Sequence, residues 1–189
     1  MSSSFNFPDL LNNTYTKNSS KALSIHDVFL SFRGEDTRAS FTSHLNTSLL
    51  NAGVKVFRDD DSLQRGDAIS KSINRAIEQS RIAVIVFSKN YADSRWCLDE
   101  LVKIMECSKT IGQVVLPVFY GVDPSEVRHQ NGEFGKAFES LLTRLSNTKR
   151  LFKVLNFKSR SPNMEQERSW TTALHEVAGF AGFVVLNSR

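Results

Sequence analysis

The sequence predicts an α/β fold in which a doubly wound parallel sheet is covered by helices on both faces. Short, near-continuous apolar runs alternate four times with segments whose apolar residues recur at helical spacing. Strands that are apolar throughout are typical of parallel sheets buried on both faces. The chain has 189 residues, of which 40% are hydrophobic and 23% charged, so it can form one domain with a sizeable core.

The first half of the chain supplies two strand–helix units. Residues 28–32 and residues 54–57 are apolar runs suited to buried strands. Between them, Asp36 or Thr37 can cap the N-terminus of a helix, and Gly53 suits the left-handed position at its end. Apolar residues three or four positions apart indicate the two helices: Phe41, Leu45, Leu49 and Leu50 in the first, and Ile69, Ile73, Ala76 and Ile77 in the second.

The second half repeats the pattern. Residues 82–87 are the strongest strand signal, and residues 114–120 are a fourth strand in which Pro117 indicates a position near a sheet edge. A last strand is predicted at residues 182–186. Three further helices follow from apolar spacing: one with Trp96, Leu98, Leu101, Ile104 and Met105, one with Phe134, Phe138, Leu141 and Leu142, and one over residues 167–181 with Trp170, Leu174, Val177 and Ala178.

Two segments fall outside this alternation. Residues 1–25 are rich in Ser and Asn, and we expect a flexible leader without a secretory signal. Residues 143–163 interleave basic and apolar residues, and could be a basic insertion, an amphipathic partner-binding segment or a disordered stretch; a solvated loop is the expectation. The net charge of +4 is too small and too scattered to indicate nucleic-acid binding by itself.

The two cysteines indicate a reducing compartment. Cys97 and Cys107 lie on one predicted helix, where ten residues rise about 15 Å, beyond the reach of a disulfide. Free thiols are therefore expected. No apolar run approaches the roughly 18 residues that a membrane span needs. We expect a cytoplasmic or nucleocytoplasmic location.

The residues that follow the strongest strand supply the best candidate for chemistry. On a helix, Trp96 and Glu100 share one face, and a carboxylate against an aromatic wall at the carboxyl edge of a sheet can be desolvated, which raises its pKa. Glu100 is therefore the first candidate for acid–base or charge-stabilising work. The alternative is that Trp96 anchors the helix to the core and Glu100 is a solvated acid in the first turn.

Three loops should meet at the same edge: Arg33 to Asp36, residues 58–66 and residues 88–96. Arg33 and Gly34 suit an anion at a helix N-terminus, or an ordinary turn. Asp59–Asp61 could hold a divalent cation, or serve solubility and capping. A receiver domain is excluded, because the acidic residues that it needs are missing after the first and third strands. No Gly-rich phosphate loop or His cluster occurs, so no metal site is predicted.

Four strings of residues, 27–38, 63–69, 94–101 and 117–128, are similar to the TIR (Toll/interleukin-1 receptor) domain of plant intracellular immune receptors with nucleotide-binding and leucine-rich-repeat regions. The resemblance covers residues 26–187. It implies a flavodoxin-like doubly wound sheet of five parallel strands with helices on both faces. It also implies an enzyme that hydrolyses NAD⁺ or NADP⁺, holds no permanent cofactor and works when TIR domains self-associate.

The resemblance also implies roles for individual residues. Glu100 would be the catalytic carboxylate, and residues 59–66 would form a mobile loop that opens for substrate. Cys97 matches a position associated with a second activity, the hydrolysis of RNA or DNA to 2′,3′-cyclic nucleotides. Ser43 and His44 match a pair that packs against its counterpart in a symmetric dimer. The positions implied to bind substrate are Phe32, Arg33, Gly34, Phe57, Asp60, Ser94 and Trp96.

The chain departs from the family pattern in two places. Residues 143–163 are longer than expected between the fourth strand and the next helix, and the chain ends near Arg189, where the family usually continues into a helix that completes the symmetric contact. A TIR-only protein or a fragment of a longer receptor would both fit.

Three functional hypotheses remain. The first is an NAD⁺-cleaving module of plant innate immunity that acts as an oligomer and triggers cell death. The second is a non-catalytic adaptor that recruits other TIR domains. The third is a weak nucleic-acid contact through residues 143–163.

Overall fold

The computed structural model describes residues 25–58, 67–154 and 164–185; for residues 67–70 and 149–154 it describes the backbone alone. The predictions for a leader, for the Asp59–Asp61 cation site, for Asp60 and the substrate loop, and for residues 155–163 therefore lie outside the described residues.

A five-stranded parallel sheet forms the centre of the fold, in the order β2-β1-β3-β4-β5. This strand order is that of a flavodoxin-like doubly wound sheet, so the predicted fold class is confirmed. The strands are β1 (His26–Phe32), β2 (Val56–Arg58), β3 (Ser80–Phe87), β4 (Val114–Tyr120) and β5 (Phe183–Val185).

Helices connect the strands. Within the described ranges, none of the helices combines the length and the apolar character that a membrane crossing requires. The helices are α1 (Gly34–Thr37), α2 (Phe41–Asn51), α3 (Asp67–Glu78), a 3-10 turn (Tyr91–Asp93), α4 (Arg95–Ile111), α5 (Pro124–His129), α6 (Gly132–Val154) and α7 (Met164–Val177).

The sheet separates two apolar clusters. Alternating residues of β1 point to opposite faces: Phe29 belongs to the larger cluster with α3, α4, α6 and α7, whereas Val28, Leu30 and Phe32 belong to the smaller cluster with α2. Ser31 lies on the side of Phe29 and is fully buried. The strand thus delivers one polar side chain to the larger layer near its carboxyl end.

The helix predicted after β1 is divided in two. It begins at Gly34, ahead of Asp36 or Thr37, and a turn separates α1 from α2. The Asp36 carboxylate does not cap the helix, because it accepts hydrogen bonds from the end of β3. Leu50 was predicted on the buried stripe but is 52% exposed, because Leu49 occupies the inward position. Gly53 ends the helix with φ of 77°, as predicted.

Helix α6 continues through Val154, so the expectation of a loop is wrong for residues 143–154. These residues contain neither Gly nor Pro, and nothing in their backbone chemistry stops the helix. Arg144 fixes this part of α6 to the 3-10 turn, since its guanidinium donates to the Asp93 carboxylate at 2.7 Å and to the Asp93 carbonyl at 2.8 Å.

Pro117 lies one strand away from the sheet edge. Strand β5 pairs only with Val118 to Tyr120, so Pro117 lies just before the point at which β5 joins β4. A Cβ atom at Gly182 would collide with the Pro117 carbonyl, and only glycine permits this close approach of the two backbones.

Candidate functional site

Glu100 is buried at the carboxyl edge of the sheet. Ser94 caps α4 by accepting a hydrogen bond from the Cys97 amide, and the first turns of the helix then carry Glu100 to β1. The Glu100 side chain is held there by Ser31, whose hydroxyl donates to Oε2 at 2.8 Å. Glu100 is 8% exposed and Trp96 is 39% exposed. The alternative of a solvated Glu100 with a core-anchoring Trp96 is therefore wrong for both residues.

A chain of hydroxyl groups continues from Glu100 into the core. The Ser31 hydroxyl lies 3.0 Å from the Tyr91 hydroxyl, which donates to the Cys97 carbonyl at 3.0 Å. Burial raises the pKa of Tyr91 well above 10.0, and the neighbouring charges of Cys97 and Glu100 add to this, while the hydrogen bond with Ser31 opposes it. Tyr91 therefore stays protonated at neutral pH.

Arg33 lies at the same edge, but its guanidinium is already paired with acidic side chains. It forms ion pairs with Glu35, with Asp36 at 2.6 Å and with Asp93 at 3.8 Å. Gly34 begins a helix of only four residues. An anionic ligand at Arg33 would have to replace one of these carboxylates, of which Asp93 is the most distant.

Asp36 ties this loop to the end of β3. Its carboxylate accepts hydrogen bonds from the Ser88 hydroxyl at 2.6 Å, from the Asn90 amide at 3.0 Å and from the Asn90 side chain at 3.3 Å. Burial alone would raise the pKa of Asp36, but the hydrogen bonds from Ser88, Asn90 and Arg33 outweigh it and lower that pKa. Asp36 is therefore a fixed anion beside Arg33.

The remaining predicted substrate-binding residues divide between the two faces of the sheet. The Phe57 ring stacks on Phe29 at 5.6 Å, in the layer that contains Glu100. The Phe32 ring faces the other layer, where the Arg38 guanidinium lies 5.8 Å from its centroid. Only the backbone of Phe32 reaches the Glu100 layer, since its carbonyl accepts a hydrogen bond from the Cys97 thiol at 3.6 Å.

Both cysteines are buried free thiols on α4. This confirms the expectation that they do not form a disulfide with each other. Cys97 is 3% exposed, and its thiol points into the core. Its proposed second activity would require this side chain to become accessible.

Ser43 and His44 lie on α2, away from Glu100. Ser43 is half-buried and His44 is exposed. Helix α2 packs on the smaller apolar cluster and α4 on the larger one, so the sheet separates these two residues from the carboxylate.

Asp99 was not predicted and joins α4 to α7. One of its carboxylate oxygens accepts hydrogen bonds from the Trp170 indole and the Gln166 amide, both at 2.9 Å, and the other lies 3.4 Å from Arg95. Ser31 and Tyr91 were also missed. A lone serine inside the apolar run 28–32 was the available signal for Ser31.

A surface cavity of about 320 Å³ lies on α7, where none of its lining residues is a predicted site residue. It is lined by Met164, Glu167, Arg168, Thr171 and Thr172. The cavity therefore adds nothing to the candidate site around Glu100.

Comparison with known proteins identifies the family. A family model described as the TIR domain matches residues 25–189. Disease resistance protein RPV1 of Vitis rotundifolia is 51% identical over 164 residues, which are 87% of this chain and 10% of that protein. TMV resistance protein N of Nicotiana glutinosa is 48% identical over 157 residues, 83% of this chain and 12% of that protein.

A solved structure agrees with the sequence relatives. The TIR domains of the activated Roq1 resistosome, which directly recognizes the pathogen effector XopQ, match with a TM-score of 0.69 and 44% identity over 86% of this chain and 89% of that chain. This chain spans only 10% to 12% of the length of the two resistance proteins. On the family match over residues 25–189 and these identities, the chain belongs to the TIR domain family.

Proposed function

We propose that this chain hydrolyses NAD⁺ or NADP⁺ as a self-associated TIR domain in plant innate immunity, with Glu100 as the catalytic carboxylate. The observation that carries the proposal is the buried Glu100 carboxyl, held by Ser31 at the carboxyl edge of a doubly wound sheet. The disease resistance proteins among its relatives support the setting. Signalling nucleotides and cell death would be the output, in the cytoplasm or in both cytoplasm and nucleus.

The reaction breaks the bond between the ribose and the nicotinamide nitrogen. The electron pair of that bond goes to the pyridinium ring, which leaves as neutral nicotinamide, and positive charge develops on the ribose. A carboxylate beside the anomeric carbon stabilises this charge and takes a proton from the attacking water. Because Glu100 is buried, its carboxylate acts with little screening by solvent.

Other residues at the edge would bind the substrate. Trp96, which is 39% exposed on the first turn of α4, offers an aromatic surface to a nicotinamide or adenine ring. Arg33 would contact a phosphate after exchanging its pair with Asp93, the longest of its three ion pairs. Ser94 holds the start of α4 in place through its cap.

Nicotinamide release by concentrated protein tests this proposal. We expect release by the wild type and a loss of at least about 100-fold in Glu100→Gln, because the variant removes the charge that stabilises the transition state. Glu106→Gln is the matched control, since Glu106 is an acid on the solvent side of the same helix and pairs with Lys103. No release by the wild type would reject the proposed activity, and equal release by Glu100→Gln would reject Glu100 as the catalytic carboxylate.

A non-catalytic adaptor is the second candidate. Two observations favour it: Arg33 is already paired with Glu35 and Asp36 rather than open to a phosphate, and His44 is exposed for contact with another domain. It predicts that signalling survives Glu100→Ala and is lost when Ser43 or His44 is replaced by a charged residue. The nucleic-acid contact through residues 143–163 stays a prediction. Its binding should weaken steeply with salt, and neutralising the Lys and Arg residues of that segment should remove this dependence.

A further inference from the structure

Three side chains from three separate elements meet in one buried cluster. Ser31 comes from β1, Tyr91 from the 3-10 turn and Glu100 from α4. Along the chain, Ser31 lies 60 residues before Tyr91 and 69 residues before Glu100. Ser31 and Tyr91 are fully buried. Polar groups are costly to bury unless each is hydrogen-bonded, and the hydrogen bonds among these three side chains offset that cost.

The hydrogen-bond partners suit Glu100 in either protonation state. When Glu100 is a carboxylate, Ser31 donates to it at 2.8 Å, and Tyr91 donates to the Cys97 carbonyl at 3.0 Å. When Glu100 carries a proton, it can donate to Ser31, Ser31 can turn its proton to Tyr91 at 3.0 Å, and Tyr91 keeps its bond to Cys97. Every hydroxyl proton has an acceptor in both cases.

Tyr91 is rigidly placed for this task. Its ring packs edge-on against Phe87 at 4.8 Å, and its amide donates to the Ser88 carbonyl at 3.0 Å. The bond from its hydroxyl to the Cys97 carbonyl also fixes the first turn of α4, the helix that carries Glu100. Cys97 lies beside the cluster as a further titratable group, and Tyr91 remains a donor because burial raises its pKa well above 10.0.

We propose that Ser31 and Tyr91 are positioning residues: Ser31 aims the Glu100 carboxyl, and Tyr91 acts on Glu100 through Ser31 by accepting a hydrogen bond from the Ser31 hydroxyl when Glu100 is protonated. This deepens the proposed function and rests on it for its catalytic consequence. Neither residue has to touch the substrate. Together they let Glu100 gain and lose a proton during a turnover without leaving a buried donor unpaired.

The first test is a cycle of variants in the 189-residue chain, followed by nicotinamide release. We expect Ser31→Ala to lower kcat by roughly 10- to 100-fold and Tyr91→Phe by roughly tenfold. The loss is larger for Ser31 because its hydrogen bond goes to a charged group, whereas that of Tyr91 joins neutral groups. KM for NAD⁺ should change little, because neither residue has to touch the substrate. In a Ser31→Ala background, Tyr91→Phe should lower kcat by less than it does in the wild type, because only its bond to the Cys97 carbonyl is then lost.

Tyr120→Phe is the matched control, since Tyr120 lies on the other face of the sheet and stacks on Phe41 at 4.9 Å. It should leave kcat unchanged. If the loss of kcat in the Ser31→Ala, Tyr91→Phe double variant equals the product of the two single losses, Tyr91 does not act through Ser31. A rise in KM with unchanged kcat would overturn the positioning role.

The second test needs no activity and separates this inference from the proposed function. The carbon-13 resonance of the Glu100 carboxyl, assigned by its loss in Glu100→Gln, should shift in Tyr91→Phe, a change that removes the hydroxyl and keeps the ring. The shift should be smaller when Ser31 is already alanine. If the Glu100 resonance does not move in Tyr91→Phe, Tyr91 does not act on Glu100, even if the protein is an active enzyme. If the resonance moves but the protein releases no nicotinamide, the positioning role stands and only the proposed activity is rejected.

Discussion

Asp36 joins the loop after β1 to the end of β3 through a half-buried carboxylate. It accepts hydrogen bonds from Ser88, Asn90 and Arg33, and these lower its pKa below the usual 3.8 despite its burial. Folding therefore favours the ionised form. The stability that Asp36 contributes is complete above about pH 4, the pKa expected in the unfolded chain, and is lost as the pH falls through the lowered pKa.

Replacing Asp36 should change both stability and its pH dependence. We expect Asp36→Asn to lower the free energy of unfolding by about 1–2 kcal/mol at pH 7, because charged hydrogen bonds become neutral ones. The variant should lose less stability than the wild type between pH 5 and pH 3. Denaturant unfolding at these pH values measures both effects. Glu35→Gln is the control, because Glu35 is 78% exposed, and an equal pH dependence in Asp36→Asn would contradict the assignment.

Only some residues of the candidate site could be predicted from the sequence. Glu100 could be singled out because its helix follows the strongest strand, and it is buried at the predicted edge. The lone serine in the apolar run 28–32 marks Ser31, but its contact with Tyr91 could not be predicted, because that contact depends on the pairing of β1 with β3 and on the position of the 3-10 turn. Phe32 was assigned to the site without regard to the strand alternation that turns its ring away.

At the scale of elements, α4 depends on α7 for its position. Trp170 is fully buried, and its indole nitrogen donates to Asp99, the neighbour of Glu100. We expect Trp170→Phe to cost about 2–4 kcal/mol in the free energy of unfolding, because it removes this hydrogen bond and leaves a cavity.

Chemical denaturation of Trp170→Phe and Trp96→Phe tests this prediction. The control Trp96 lies on the same helix as Asp99 but is 39% exposed, so its replacement should change stability by less than about 0.5 kcal/mol. Equal losses in the two variants would contradict the role of the Trp170–Asp99 contact.

Apolar periodicity predicted the elements that pack on the sheet. It failed where contacts between residues distant in the sequence determine where a helix begins or ends. Strands β1, β3 and β4 and helices α3 and α4 follow the apolar spacing closely. Strand β2 begins two residues later than predicted, and α7 ends at Val177 rather than at residue 181. The division between α1 and α2 follows from the binding of Asp36 to Ser88 and Asn90, and the extension of α6 accompanies the contact of Arg144 with Asp93. Neither contact leaves a periodic signal in the sequence.

At the scale of the whole molecule, the sheet separates the proposed self-association surface from the proposed catalytic carboxylate. His44 is exposed on α2, whereas Glu100 lies in the opposite layer. A substitution at His44 can therefore affect assembly without touching the carboxylate. A substitution at Glu100 can likewise remove catalysis and leave the assembly surface unchanged.

We expect His44→Glu to reduce self-association and nicotinamide release together, because it places like charges opposite each other in a symmetric contact. The free energy of unfolding of the monomer should change by less than about 0.5 kcal/mol. Analytical ultracentrifugation and release assays over the same concentrations measure both effects. His129→Glu, an exposed histidine on α5, is the control. Normal assembly by His44→Glu would exclude this surface.

Nicotinamide release as a function of protein concentration tests the central claim most directly. The wild type should release nicotinamide at a rate that rises more than proportionally with its concentration. Glu100→Gln should release it at least about 100-fold more slowly at every concentration at which it still self-associates. Release by Glu100→Gln equal to that of the wild type would contradict the account, because the buried carboxylate would then have no part in the reaction.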